Sequence, residues 1–285
     1  MVSSVVFAQN DTVKVKKLMP RPPIYGIPTK TLPKGKIIYR SYFTFTDFSS
    51  MYSTEKAEMI SLPNDMAFQS YSYTPKLRYG ITNKLTFIAN FPIFYKNLNH
   101  AGNVKTGMGL GDIVASTLYN FYHNKKKKFF LSGLLYTKLP TGKSSNLNTN
   151  ELSLGTGSFD AGIALLSEKE IKKFDMRLNA FYIYRGQNKG GINLGDAQMF
   201  AFSTAYNFSE KFIAEGSILY KQTLNNYKDK QELADTYIRL SQFIIGAQYR
   251  VAPRFLIQAA VPVTLFAKTP FSSNYDAWLG FFILY

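Results

Sequence analysis

Cysteine is absent from the 285 residues. That absence removes disulfides, thiolate metal sites and cysteine nucleophiles together. Histidine occurs twice, as His100 and His123, and two histidines without cysteine give no reason to expect a zinc site. Long apolar runs are also missing. The best stretch, residues 255–267, is interrupted by Gln258, Pro262 and Thr264, so no segment reaches the roughly 20 apolar residues of a membrane-spanning helix. Acidic residues are scarce: 18 Asp and Glu stand against 34 Lys and Arg, a formal net charge of +16.

Aromatic residues are plentiful instead. There are 20 Tyr and 24 Phe, 16% aromatic with the single Trp, and only 18% of the chain is charged. Such a load suits a wall that faces lipid and anchors at two interfaces. A closed β-barrel is the one spanning structure left once helices are excluded, because every backbone N–H and C=O must be paired inside a bilayer.

The pattern of polarity agrees. Between residues 173 and 185, Phe174, Met176, Leu178, Ala180, Tyr182 and Tyr184 alternate with Lys173, Asp175, Arg177, Asn179 and Arg185. A helix would mix these sets around its circumference; a period of two separates them. Phe129, Leu131, Leu135 and Leu139 likewise oppose Ser132 and Lys138. The rhythm predicts an all-β, up-and-down antiparallel transmembrane barrel of about twelve strands. They fall near 36–47, 67–79, 85–96, 110–122, 129–140, 157–167, 173–185, 196–208, 212–224, 236–249, 255–267 and 276–285. Short breaks alternate with longer ones near 48–66, 97–109, 141–156, 186–195, 225–235 and 268–275. An even strand count with short turns on one side implies an outer-membrane protein with both termini in the periplasm. The final strand ends on Tyr285, like the terminal signal that such barrels present to their insertion machinery.

Before residue 36 the chain changes character. Residues 1–9 read as the tail of a signal peptide. Residues 10–35 carry Lys14, Lys16, Lys17 and Arg21, and five prolines lie between Pro20 and Pro33. Proline suits neither helix interiors nor central strands, so an extended, basic periplasmic arm is expected, one that dangles, plugs the lumen or holds an outer-membrane or periplasmic protein partner. The barrel itself takes residues 36–285, and its outer face has outer-membrane lipid as its partner.

Charged residues on the non-lipid rows are the candidate site. Lys or Arg at mid-depth on a lipid face costs about 2–4 kcal/mol, so Lys76, Arg78, Lys138, Arg177, Arg185 and Lys221 are assigned to the lumen. Asp112, Asp160, Asp175, Asp196 and Glu215 join them. The row either lines a polar solute path or fills a narrow barrel with salt bridges. Three strand openings repeat a glycine–aspartate element: Gly109 to Asp112, Gly157 to Asp160 and Asn193 to Asp196. Turn chemistry at the mouth is weighed against ligand binding for these aspartates.

The segments Gly109-Leu-Gly-Asp112 running into Leu118-Tyr-Asn-Phe121, then Leu139-Pro-Thr-Gly-Lys143 and Leu154-Gly-Thr-Gly-Ser-Phe-Asp160, in that order, resemble a family of outer-membrane barrels named as transporters of the meta-pathway of phenol degradation. The resemblance implies import of small, often aromatic compounds. Other motifs carry less. Thr141-Gly-Lys-Ser-Ser145 lacks the leading glycine of a phosphate loop, since position 137 is Thr137. Lys125 to Lys128 fits lipid headgroups better than nucleic acid. No catalytic residue, metal or cofactor is assigned. His100 is expected in an outer loop and His123 in a short turn, away from any wall serine. Passive uptake of a small solute, aromatic or anionic, through a charged lumen is the expected function. The alternative is a non-transporting accessory subunit that docks partners through the arm.

Overall fold

A strand with apolar side chains at every second residue can sit in lipid only if both of its edges are paired. The structure, a computed structural model, describes residues 23–24, 26–144 and 151–284. Twelve antiparallel strands satisfy that condition by closing on themselves. They are β1 (Ile37–Phe48), β2 (Met66–Thr82), β3 (Leu85–Asn90, resuming Ile93–His100), β4 (Asn103–Leu110, resuming Ile113–Asn124), β5 (Phe129–Leu139) and β6 (Asp160–Ile171). The others are β7 (Phe174–Arg185), β8 (Ala197–Asn207), β9 (Phe212–Thr223), β10 (Arg239–Ala252), β11 (Phe255–Lys268) and β12 (Asp276–Leu284). Each pairs with its sequence neighbours, and β1 closes the ring by pairing with β12 from Ile38↔Leu284 to Thr46↔Asp276.

Side chains follow the expected alternation. Leu135, Ile163, Leu178, Tyr182, Ile218, Ile245 and Val261 are exposed on the outer wall. An apolar surface this continuous belongs against lipid. Five connections are short, as at Lys172-Lys173 between β6 and β7. They lie at the end where β1 begins and β12 finishes, called the terminal end below. The opposite, loop end carries the longer connections and two small three-stranded sheets built from them.

One expected long loop is not a loop. Residues 97–109 are strand except for a turn at Ala101-Gly102, where both residues have positive φ. The β3–β4 hairpin therefore projects further than periodicity indicated. Its strands break in step, at Phe91-Pro92 and at Gly111-Asp112, because Pro92 has no N–H to give to the ladder. Gly111 N donates to Pro92 O at 2.7 Å, which keeps the two breaks together. The longer hairpin moves His100 into a strand, and β4 runs on to Asn124, which takes His123 out of the expected turn. His100 sits 4.0 Å from Asp65, and His123 stacks on Phe130.

The arm is the larger correction. Over its described part, residues 23–24 and 26–34, it does not extend into the periplasm but runs as a strap inside the barrel, the lumen-plugging one of the three alternatives. Three of its aliphatic side chains each seat on an apolar patch of the inner wall. Ile24 packs with Ala201, Leu219, Ile244 and Ala260. Ile27 packs on the group around Leu118, Leu134, Leu166 and Phe181, and Leu32 packs with Ile38, Leu256 and Phe282. The lumen rows are thus partly apolar, contrary to the expectation that apolar rows face only lipid. Residues 1–9, the arm cations Lys14, Lys16, Lys17 and Arg21, and Tyr285 lie outside the described residues.

Gly80 lets the strap leave. Gly35 N donates to Gly80 O at 2.8 Å, and Gly80 N to Lys36 O at 2.9 Å. A β-carbon at Gly80 would overlap the carbonyl oxygens of Leu32 and Pro33. Gly80→Val is therefore expected to expel the strap while the twelve-stranded ring persists. Limited proteolysis should then cut within residues 23–34, and heat-modifiable gel migration should be retained; a strap as resistant as wild type would contradict this placement.

Candidate functional site: the barrel lumen

A chain segment inside a barrel brings backbone groups that need partners. Inward side chains supply them. Arg40 Nη2 donates to Pro23 O at 2.8 Å and Ile24 O at 2.9 Å, and also to Gln258 Oε1 at 2.7 Å. Ile24 N donates to Glu215 Oε2 at 3.1 Å. Ser132 Oγ donates to Thr29 O at 2.6 Å, Arg78 Nη2 to Lys30 O at 3.0 Å, and Leu32 N to Thr86 Oγ1 at 2.7 Å. Lys30 ends the strap on Glu168, at 2.7 Å, and Glu170. Burial works against its ammonium, but these two carboxylates outweigh that and hold its pKa above the ordinary lysine value. Seating an aliphatic side chain yields about 1.5–3 kcal/mol, while ordering one residue's backbone costs about 1–2 kcal/mol. Three seated side chains alone would not hold twelve residues, so the hydrogen bonds and the pre-set φ of the prolines are needed as well.

Near the terminal end, Arg177 gathers the acids of three strands. It lies 3.2 Å from Glu215, 3.7 Å from Glu168 and 3.9 Å from Asp175. Asp175 also accepts from Asn207 Nδ2 at 3.0 Å.

At the loop end a second buried cluster ties the 140–159 connection into the mouth. Asp112 Oδ2 accepts from Lys138 Nζ at 3.2 Å, Thr156 N at 2.9 Å and Thr156 Oγ1 at 3.1 Å, while Oδ1 accepts from Gly142 N at 3.1 Å. Lys138 is also 2.9 Å from Asp160, whose other oxygen accepts from Ser158 Oγ at 2.7 Å. Arg185 reaches Asp160 at 3.9 Å. Gly155 has to be glycine: a β-carbon there would overlap the Asp112 carboxylate. This geometry favours turn chemistry over ligand binding for Asp112 and Asp160, since their oxygens are occupied by the chain itself.

Lys76 and Lys221 behave differently. Both point inward, and neither has a hydrogen bond or ion pair among the described residues; Tyr42 lies 5.8 Å below the Lys76 ammonium. They line a cavity of about 260 Å³ between the strap and the Asp112 cluster. Lys76 also lines an adjoining vestibule of about 350 Å³ that includes Tyr42 and Trp278. Asp196 is the one proposed lumen residue that the structure moves out. It accepts from the outward-facing Tyr182 hydroxyl and from Arg185 N, because the inward row of β8 starts one residue later, at buried Ala197.

With this geometry in view, the sequence was compared with known families. The family described as "Putative MetA-pathway of phenol degradation" matches over residues 61–278. The chain belongs to this family. Three of the four family segments noted in the sequence meet in the mouth cluster: 109–112 supplies Asp112, 139–143 supplies Thr141 and Gly142, and 154–160 supplies Gly155, Thr156, Ser158 and Asp160; the fourth, Leu118 to Phe121, lies further along β4, where Leu118 packs with Leu134 and Leu166. Among solved structures, the COG4313 outer membrane channel from Pseudomonas putida F1 is similar at 16% identity and a TM-score of 0.76, covering 92% of this chain and 100% of that one. The NanC porin is similar at 10% identity and a TM-score of 0.51, covering 86% and 98%. At these identities the likeness establishes the fold, an outer-membrane β-barrel. No curated relative matches the sequence.

Arg40 and Glu168 were missed by sequence reading, although parity could have found both. Arg40 alternates with Tyr39 and Phe43 on β1, and Glu168 shares the face of Asp160 once β6 is extended to Ile171. In this family barrel, Asp112→Ala should leave Gly142 N and Thr156 N without their acceptor and Lys138 with one carboxylate. Breaking a buried pair costs about 3–5 kcal/mol, so urea unfolding in micelles should shift strongly. Asp196→Ala, at the rim, should change stability by less than about 1 kcal/mol; equal effects would refute the assignment of Asp112 as the tie.

Proposed function

We propose that the protein is a passive outer-membrane channel for a small solute, with the lumen as the path and the strap as its restriction. The observation that carries this reading is the state of the interior. Salt bridges occupy both ends, but the middle keeps a cavity and a vestibule joined along Lys76. A barrel filled for structure alone would be expected to close that space with side chains. The lumen row of β8 does the opposite, presenting Ala197, Met199, Ala201, Ser203 and Ala205.

The strap crosses this path, so passage requires it to shift. The terminal end is assigned to the periplasm, in line with its short turns, and the solute enters from the loop end. An excess of inward basic groups favours anionic or polarisable solutes over cations. The described part of the arm is committed to the inner wall, which supports a role in the lumen over docking of a protein partner through that part.

The absence of cysteine makes a direct test available. A β-carbon placed on Gly246 would lie 2.9 Å from Ile24 Cγ2, so Ile24→Cys with Gly246→Cys is positioned for a disulfide between strap and wall. In planar bilayers the oxidised pair is expected to conduct little, with conductance rising severalfold on reduction. Conductance that ignores the redox state would remove the strap from gating, and none in either state would remove the channel.

A further inference from the structure

The cations of the lumen fall into two classes. Lys138, Arg177 and Arg185 each have a carboxylate within 4.0 Å. Arg40, Lys76, Arg78 and Lys221 have none among the described residues, and all four line the same cavity. None of the described residues that line it is Asp or Glu. The nearby acids are already committed: Glu168 and Glu215 to Arg177, and Asp160 to Lys138. Arg40 and Arg78 are buried, and the Nε of each has no hydrogen-bond partner. Buried charge without a counter-charge is costly, so a concentration of it at one spot asks for an anion.

The rest of the cavity wall defines which anion. Apolar side chains interleave with these cations: Ile88 is the cross-strand neighbour of Arg78, Met199 that of Lys221, and Phe181 pairs with Met199. Apart from the cations, the polar side chains among the described liners are Asn90, Ser116, Tyr136 and Asn179, and most of the others are apolar; that surface suits an apolar body, whereas a sugar acid or inorganic anion would leave polar atoms facing apolar wall. A neutral hydrocarbon would leave the cations unpaired. At about 260 Å³, the space lies below the common range of drug-sized pockets, about 300–1,000 Å³. It has room for one ring or a short chain.

We propose that this cavity is a binding site for a small monocarboxylate with an apolar body, its carboxylate held between Lys76 and Lys221 with the two arginines behind. The inference rests on the reading of the lumen as a solute path and gives that path a substrate class. Lys76 is shared with the vestibule and is the one charged side chain among the described residues that line it.

The test is equilibrium binding of benzoate to the full chain in detergent by titration calorimetry, with benzyl alcohol and inorganic phosphate as comparison probes. Benzoate is expected to bind, and both other probes at least tenfold more weakly. Lys76→Gln and Lys221→Gln should each weaken benzoate by about tenfold, the usual worth of a charged hydrogen bond, without changing benzyl alcohol. Lys76→Arg should restore binding, which separates loss of charge from loss of fold. Benzoate binding no tighter than benzyl alcohol or phosphate, or unaffected by the glutamine variants, overturns the proposal. Benzoate binding lost in the glutamine variants of a protein that does not conduct would keep the site and remove the channel. Conductance without benzoate preference would keep the channel and remove the site.

Discussion

Everything in this molecule depends on the rule that backbone polar groups cannot go unpaired away from water. It makes the sheet close, with β1 bonded to both β2 and β12. Closure fixes parity on every strand, and parity decides which side chains meet lipid and which meet each other. The same rule governs the strap. The described strap residues bring carbonyls and amides into a confined interior, and Arg40, Arg78, Thr86, Ser132 and Glu215 are placed to receive them.

The strap therefore acts as a core for the barrel. Its three aliphatic anchors account for inner-wall leucines and isoleucines that a water-filled pore would have no use for. This arrangement is held by several modest interactions rather than one strong one.

Charge is arranged along the barrel with a similar economy. Paired clusters sit at the two ends, where Arg177 gathers acids near the termini and Asp112 with Lys138 and Asp160 draws the 140–159 connection inward. These ends are structural. Between them the cations outnumber their partners, and the residues that line the cavity supply no acid to correct it. Three of the four segments by which the chain resembles its family thus describe the mouth, while the four cations of the cavity lie outside all of them.

The sequence by itself determined the class of fold, the strand count and nearly every strand position, because period-two alternation is a local property that lipid on one side enforces residue by residue. It also determined the lumen assignment of ten of the eleven charged candidates, since cost on the lipid face leaves them one place to go. Asp196 escaped that logic because it stands at a strand boundary, where a one-residue difference reverses the face. The length of the β3–β4 hairpin was hidden because residues 97–109 carry only three large apolar side chains, Leu98, Val104 and Met108, spaced among asparagines and glycines, too sparse to mark an alternation. Only the tertiary structure decided where the strap lies, which acids pair with which bases, and which cations are left over. Those outcomes depend on contacts such as Ile24 with Ile244 or Lys30 with Glu168, between residues far apart in sequence, and no local pattern records them.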